Sequence, residues 1–202
     1  MARVLITGGT GLVGTEVKNL LLQKGYEVVL LTRSTVSDKG YAHWDINAGT
    51  IDATAIAAAD YIIHLAGASV SKKWTLAYKK EILQSRVQTA NLLFKTLQSH
   101  PNKVKQFISA SAIGIYPDSN EKVYSEDNTE VDNSFLGNVV KKWEEAVDQI
   151  KRLDIKVAKI RTGIVLSGKG GALTEMAKPV RLGVGAPLGY GKQMQSWIHI
   201  HD

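Results

Sequence analysis

The sequence predicts an α/β protein with three layers and a mostly parallel, doubly wound sheet. Three observations predict it. Short apolar strands alternate with helical patterns along the 202 residues, the order of elements that βαβ units produce. A glycine-rich loop, "GGTGLVG" at Gly8–Gly14, joins the first apolar run to the first helical stretch. The composition is that of a globular chain able to bury a core, 44% hydrophobic and 22% charged with 4 prolines.

The elements follow in order. Val4-Leu5-Ile6 centres a strand at Arg3–Thr7, and the helix after the loop covers Leu12–Lys24 with Gly25 as its C′ residue. "EVVLLT" is a strand at Glu27–Thr32, and a short third strand covers Ala42–Asp45. "IDATAIAAAD" reads as a short helix feeding a strand at Tyr61–Ala66. Ile82, Val87, Ala90, Leu93, Phe94 and Leu97 recur near a 3.6 period, which predicts a long helix over Leu76–Gln98. A strand at Val104–Ser111 follows, then a polar loop at Tyr116–Asn133, a helix at Phe135–Leu153 and a strand in "IKVAKIRTG". Gly168 to Gly191 reads as a long loop around a helix at Ala172–Val180, and "SWIHI" as a seventh strand. This is the Rossmann pattern, and residues 1–202 read as one such domain.

Between a strand and a helix, the loop residues Gly8, Thr10, Gly11, Leu12, Val13 and Gly14 point to a dinucleotide. Glycines let backbone N–H groups approach a pyrophosphate, and the helix N-terminus adds partial positive charge. An acidic residue at the end of the second strand would bind the adenosine ribose hydroxyls of NAD(H). Here that place reads Leu31-Thr32-Arg33-Ser34. Arg33 offers a bidentate grip on a 2′-phosphate and Ser34 a further donor, which favours NADP(H) over NAD(H).

Other function classes fit less well. The net charge of +6 comes from scattered lysine pairs with no interleaved aromatic platform, which reads as solvated surface rather than a nucleic-acid face. No apolar run approaches the ~18 residues of a membrane span. With 0 Cys there are no disulfides or thiolate metal sites, and the chain opens on a strand without a signal-peptide core, as in a cytoplasmic protein. His199, His201 and Asp202 sit at the chain end without the closed ligand set of structural zinc, so no metal is expected. His64 lies in an apolar strand and reads as a satisfied core residue. Trp74, Trp143 and Trp197 read as packing residues.

The segments "ITGGTGLVG", "VLLTRS", "HLAGASVSKKWT", "SRVQTANLL", "SASAIGIYP", "FLGNVVKKWEEA", "KIRTGIVLSGKGGAL" and "LGYGKQMQSWIHIHD" carry a resemblance across Ile6–Asp202. In family order, they resemble the extended short-chain dehydrogenases/reductases of the nucleotide-sugar epimerase/dehydratase superfamily. Within it they resemble an atypical subgroup of epimerase family proteins. The resemblance implies that Asp45 hydrogen-bonds the adenine amine and that Leu65, Ala66 and Gly67 close over the adenosine ribose and pyrophosphate. It also implies cofactor-side positions at Ser109, Arg161 and Gly163. Family members continue past "SWIHI" into a smaller substrate-binding lobe. This chain is therefore expected to hold the cofactor half of a longer protein, with that lobe largely absent.

The catalytic pattern departs from the superfamily. None of the 7 tyrosines has a lysine four residues on, so the usual Tyr-x-x-x-Lys pair does not exist. With Glu144 in "KWEEA" as anchor, the expected Tyr and Lys fall on Leu136 and Val140. The expected Ser is Ser111, and Tyr116 is a second candidate for proton transfer. Arg86 stands where the superfamily usually has Asn. Arg86 is expected either to hold ribose hydroxyls or an anionic substrate, or to form a structural ion pair. It cannot be a general base. Two readings follow: an NADP(H)-dependent oxidoreductase or epimerase-like enzyme acting on a small, sugar-derived molecule, or a dinucleotide-binding sensor that lost its acid/base pair. A homodimer through the long helix and the Phe135 helix is the superfamily's habit, but Lys79, Lys80, Lys141 and Lys142 lie on those helices.

Overall fold

The structure, a computed structural model, describes residues 1–34, 38–187, 189 and 191–202. The "LGYGKQMQSWIHIHD" segment therefore includes two residues, Leu188 and Tyr190, that lie outside the described set. Strands β1 (Arg3–Thr7), β2 (Glu27–Thr32), β3 (Tyr41–Asp45), β4 (Thr50–Ile51), β5 (Tyr61–His64), β6 (Gln106–Ala112) and β7 (Lys156–Thr162) form one sheet in the order β4-β3-β2-β1-β5-β6-β7. All neighbours pair in parallel except β3 and β4, a short antiparallel hairpin that the sequence reading did not include. The chain winds outward from β1 to β3, then returns to β5 on the other side. The switch point thus lies between β1 and β5, where open α/β sheets form their ligand crevice.

The strands alternate their side chains between two layers. Val4, Ile6, Val28 and Leu30 face α1 (Leu12–Gln23), packing with Val17 and Leu21. Leu5, Leu31, Ile62 and Phe107 face the opposite way, into a larger core with α2 (Ala53–Ala58), α3 (Leu76–Ser99) and α4 (Phe135–Asp148). The predicted stripe on α3 is inward: Ile82, Ala90 and Leu93 are fully buried. α2 is only six residues long, so its start matters. Asp52 caps it, accepting from the Thr54 and Ala55 amides at 2.9 and 3.3 Å. Replacing Asp52 by alanine is expected to lower stability by about 1 kcal/mol, the usual worth of such a cap. The urea midpoint should fall with an unchanged slope.

Several boundaries differ from the sequence reading. The Phe135 helix ends at Asp148, and Gln149–Leu153 tighten into a 3₁₀ turn closed by Asp154 in the left-handed region, φ 58°. The largest difference is at the carboxyl side. "SWIHI" does not join the main sheet. β9 (Trp197–His199) pairs in parallel with β8 (Ile164–Leu166), an unpredicted strand, to make a separate two-stranded sheet. Gly163 permits this: a Cβ there would sit 2.5 Å from the Ser196 carbonyl oxygen, and Ile164 N–H donates to that same carbonyl. α5 (Ala172–Arg181) follows β8, carries Pro179 and buries none of its residues. Trp197, read as packing, is 64% exposed. No helix among the described residues is long and apolar enough to cross a membrane.

Candidate functional site

A cavity of about 480 Å³ opens at the switch point, lined on one side by Gly8–Gly11, Leu30–Ser34, Trp44 and Ile46, on the other by Leu65–Ala68, Glu81, Ser85 and Thr89. Its floor is built by close approach of backbone to backbone. Gly8 has φ +70°, and a Cβ on it would lie 2.8 Å from the Leu65 carbonyl. A Cβ on Gly14 would lie 2.3 Å from the Gly8 carbonyl oxygen. These glycines bring the first turn of α1 down onto the β1 loop, and no larger residue fits.

The N-terminus of α1 is open. Gly11 is its N-cap with no side-chain hydrogen bond, and its first turn has no acidic residue. The orphan amides at the start of a helix therefore face the crevice with their share of the helix dipole uncompensated. That donor set suits a phosphate and no cation.

The opposite wall is pinned through His64 by Thr7 and Thr89, two side chains that the sequence reading passed over. The Leu65 and Ala66 amides both donate to Thr7 Oγ1 at 3.2 Å. With two incoming donors, the Thr7 hydroxyl gives its own hydrogen to His64 Nδ1, 2.7 Å away. That assignment leaves the hydrogen of His64 on Nε2, which faces Thr89 Oγ1 at 3.3 Å, and Thr89 donates on to the Ser85 carbonyl at 2.7 Å. Burial, reinforced by the Arg86 charge, pushes His64 down to about 3. It stays neutral at ordinary pH and holds the floor rather than moving protons, in accord with its reading as a core histidine. Glu81, Ser85 and Thr89 stand four apart on α3, so one helical face carries all three to the crevice. That spacing was the available signal.

Of the sequence-predicted residues, the structure gathers Gly8, Thr10, Gly11, Arg33, Ser34, Leu65, Ala66 and Gly67 around this cavity. Leu12, Val13 and Gly14 form the helix turn behind the loop. Others go elsewhere. Asp45 is not among the lining residues, although its neighbours Trp44 and Ile46 are; its Oδ1 accepts from the Asn47 and Ala48 amides at 2.8 and 3.0 Å, closing the β3–β4 turn. Ser109 is fully buried and donates to the Ala110 carbonyl, and Gly163 serves the Ser196 contact.

Ser111, Tyr116 and Arg161 are brought together, but not at the crevice. Ser111 is 5% exposed and donates to Glu144 Oε1 at 2.5 Å. Arg161 grips both Glu144 oxygens at 2.9 Å and donates to Tyr116 Oη at 2.7 Å. Tyr116 in turn donates to the Ser125 carbonyl and stacks on Tyr124. Lys159 adds contacts to Glu144 at 3.2 Å and Asp148 at 2.7 Å. Burial alone would raise the Glu144 pKa, but the Arg161 fork, the Ser111 hydroxyl and Lys159 outweigh it and hold it at about 2. The Ser111 hydroxyl is thus committed to a buried carboxylate. A neighbouring cavity of about 590 Å³ is lined by Tyr116, Tyr124, Lys159 and Arg161, but both cations are already paired.

Arg86 makes no ion pair among the described residues, which removes the structural ion-pair reading. Its Nη1 donates to the Ala68 and Ile82 carbonyls at 3.1 and 2.9 Å, and its guanidinium lies over the Trp143 ring at 5.3 Å. Val140, at the expected Lys position, is buried, and Leu136, at the expected Tyr position, packs near Gly114.

Fold and site together define a Rossmann-type α/β protein with a glycine-built crevice at its switch point. The NAD dependent epimerase/dehydratase family model matches residues 4–136, and the chain belongs to that family. It is 36% identical over 206 residues to an epimerase family protein of Staphylococcus saprophyticus, spanning 100% of this chain and 68% of that protein. The crystal structure of the human epimerase family protein SDR39U1 (isoform 2) with NADPH superposes with a TM-score of 0.83 at 34% identity, covering 99% of this chain and 66% of that one. A nucleoside-diphosphate sugar epimerase from Corynebacterium glutamicum gives 0.84 at 31% identity, covering 100% and 41%. The chain spans about two thirds of the length of the first two relatives and less of the third.

Proposed function

We propose that the crevice binds a nicotinamide dinucleotide, NADP(H) in preference to NAD(H), and that the protein is an epimerase-like oxidoreductase acting on a small, sugar-derived molecule. The observation that carries this is the uncapped α1 N-terminus, set over glycines that leave room for a pyrophosphate and for nothing bulkier on the protein side. The relative whose crystal structure contains NADPH supports the same reading. Bound there, the cofactor would supply or accept a hydride. Gly8, Gly11 and the first amides of α1 would hold its pyrophosphate. Leu65, Ala66 and Gly67 would line its path, held by Thr7, His64 and Thr89. Arg33 and Ser34, at the β2 end, would meet the adenosine ribose.

Arg33 is exposed and its chain neighbours Thr32 and Ser34 are uncharged, so a 2′-phosphate would gain a cationic partner there. Replacing Arg33 by alanine is expected to weaken NADPH binding roughly tenfold to a hundredfold, the range for one charge-assisted contact. NADH binding should stay near its original value. Equal losses for both cofactors in a fluorescence titration would remove Arg33 from the phosphate site.

The sensor reading draws on a separate observation. Leu136 and Val140 cannot transfer protons, and Ser111 and Tyr116 are tied to Glu144 and Arg161. Under the enzyme reading the proton comes from water or from the substrate lobe, and Ser111 contributes through the network rather than as donor. NADPH oxidation by the complete protein against a panel of sugar aldehydes and ketones separates the two. Turnover of any member supports the enzyme; tight NADPH binding without turnover supports the sensor.

A further inference from the structure

Arg86 is a partly buried guanidinium with unused donors and no ion-pair partner among the described residues. Both carbonyls it reaches are bonded through Nη1. No hydrogen bond from its Nε or Nη2 is found among the described residues. Burial pushes it below the usual arginine value, the sign of a charge short of solvation. The energetic cost of such a group is several kcal/mol unless something supplies acceptors.

A second unsatisfied donor lies beside it. Trp143 is 6% exposed, its ring faces the guanidinium, and its indole N–H has no acceptor among the described residues. Buried polar groups are nearly always paired, so the spare donors of the guanidinium ask for an oxygen-rich partner. The apolar neighbour Val140 supplies none.

The position of Arg86 along the crevice says which partner. Ser85 Oγ accepts from the Ala68 amide at 2.9 Å while Arg86 donates to the Ala68 carbonyl. Consecutive α3 residues therefore clamp both main-chain groups of one crevice-lining residue. Gly67 also touches the guanidinium: a Cβ there would lie 3.1 Å from Arg86 Cζ. In the sheet order β2-β1-β5, Arg33 marks the β2 end and the glycine loop the middle. A dinucleotide with its adenosine at β2 and its phosphates at the loop carries its other nucleotide toward β5, to Gly67 and Ala68.

We infer that Arg86 is a cofactor-binding residue that grips the oxygens of the nicotinamide mononucleotide half, its phosphate and ribose hydroxyls. This rests on the dinucleotide reading above. The charge stands on α3, its guanidinium directly behind the crevice residue Gly67, while the α4 position Val140 is neutral. The guanidinium binds and orients, and its proton does not move.

The test compares two probes on the complete protein by calorimetry: NADPH, which has both nucleotide halves, and 2′,5′-ADP, which has the adenosine half alone. Arg86→Met keeps an unbranched stem on Trp143 and removes the donors. It should weaken NADPH roughly tenfold to a hundredfold, the range for charged hydrogen bonds, and leave 2′,5′-ADP unchanged. Arg86→Lys should fall between. Arg86→Gln, which keeps a polar stem without the charge, is the second route should the methionine variant not fold, and should also weaken NADPH more than 2′,5′-ADP. Unchanged NADPH affinity in the variants overturns the inference. So does an equal loss for both probes, which would make Arg86 a prop of the Gly67–Ala68 wall. If the unsubstituted protein binds neither probe, the dinucleotide reading itself has failed.

Discussion

Replacing Glu144 by alanine is expected to destabilise the protein by about 3–5 kcal/mol, the usual result of removing one partner from a buried ion pair. Glu144 is the anion on which Arg161, Lys159 and the Ser111 hydroxyl converge, and its side chain is 8% exposed. Without it, Arg161 keeps its desolvation cost and loses its counter-charge, Lys159 is left with Asp148 alone, and β6, β7 and α4 lose their common tie. Glu144→Gln retains the Ser111 hydrogen bond and should cost less.

The same group sets a pH dependence whose sign is fixed. The Glu144 pKa is lowered from 4.5 to about 2. A depressed folded-state value means that its contribution is fully present above pH 4.5 and is lost as pH falls toward 2. The lost amount is about 3 kcal/mol at 1.36 kcal/mol per unit. Urea midpoints measured from pH 6 down to pH 2.5 should fall more steeply in the unsubstituted protein than in Glu144→Gln. Parallel slopes would mean that Glu144 is not the charged centre of this network.

Gly14→Ala is expected to abolish measurable NADPH binding and to cost the fold about 1–3 kcal/mol or more, the range for overpacking a close contact. The new methyl would sit 2.3 Å from the Gly8 carbonyl oxygen and 2.7 Å from the Gly9 Cα. Both obstacles are backbone, so no rotamer change relieves them. Either α1 lifts from the sheet or the loop turns, and each displaces the amides that would meet the pyrophosphate. A contrast sharpens the test. Gly25 has φ +80° but open space around its missing Cβ. Gly25→Ala should therefore cost stability through backbone strain alone and leave NADPH affinity untouched. Retained binding in Gly14→Ala would show that the loop tolerates a wider cradle.

The legibility of this protein divides along chain distance. The glycine loop, the strand at Arg3–Thr7 and the apolar stripe of α3 were read from neighbours within a few residues, and the structure places them as expected. The place of Arg33 and Ser34 on the crevice was legible because it follows from their position at the end of one strand. Asp45 stands at the end of β3 as read, and its Oδ1 also closes the turn to Ala48, a local hydrogen bond that Asp readily makes. The Phe135 helix was extended through Leu153 because composition does not distinguish a 3₁₀ turn from an α-helical one.

Ser111 and Tyr116 were beyond reach of any local reading. Ser111 meets Glu144 across 33 residues and Tyr116 meets Arg161 across 45. Alternation along β6 puts Ser109 and Ser111 on the buried side with Phe107, where Ser111 meets the Glu144 carboxylate. The β8–β9 sheet was hidden for a similar reason, since its pairing depends on Gly163 meeting Ser196.

By itself the sequence determined the layered α/β architecture, the glycine-rich loop between β1 and α1 and the absence of the Tyr-x-x-x-Lys pair. Each is written in spacing and residue type, which local sterics and hydrophobic periodicity translate directly. Only the tertiary structure decided where the charges end up. It set Arg161 on Glu144 and left Arg86 without an anion beside Gly67. Those outcomes depend on which surfaces the sheet and helices bury against each other, and desolvation acts on a charge only once its surroundings have assembled.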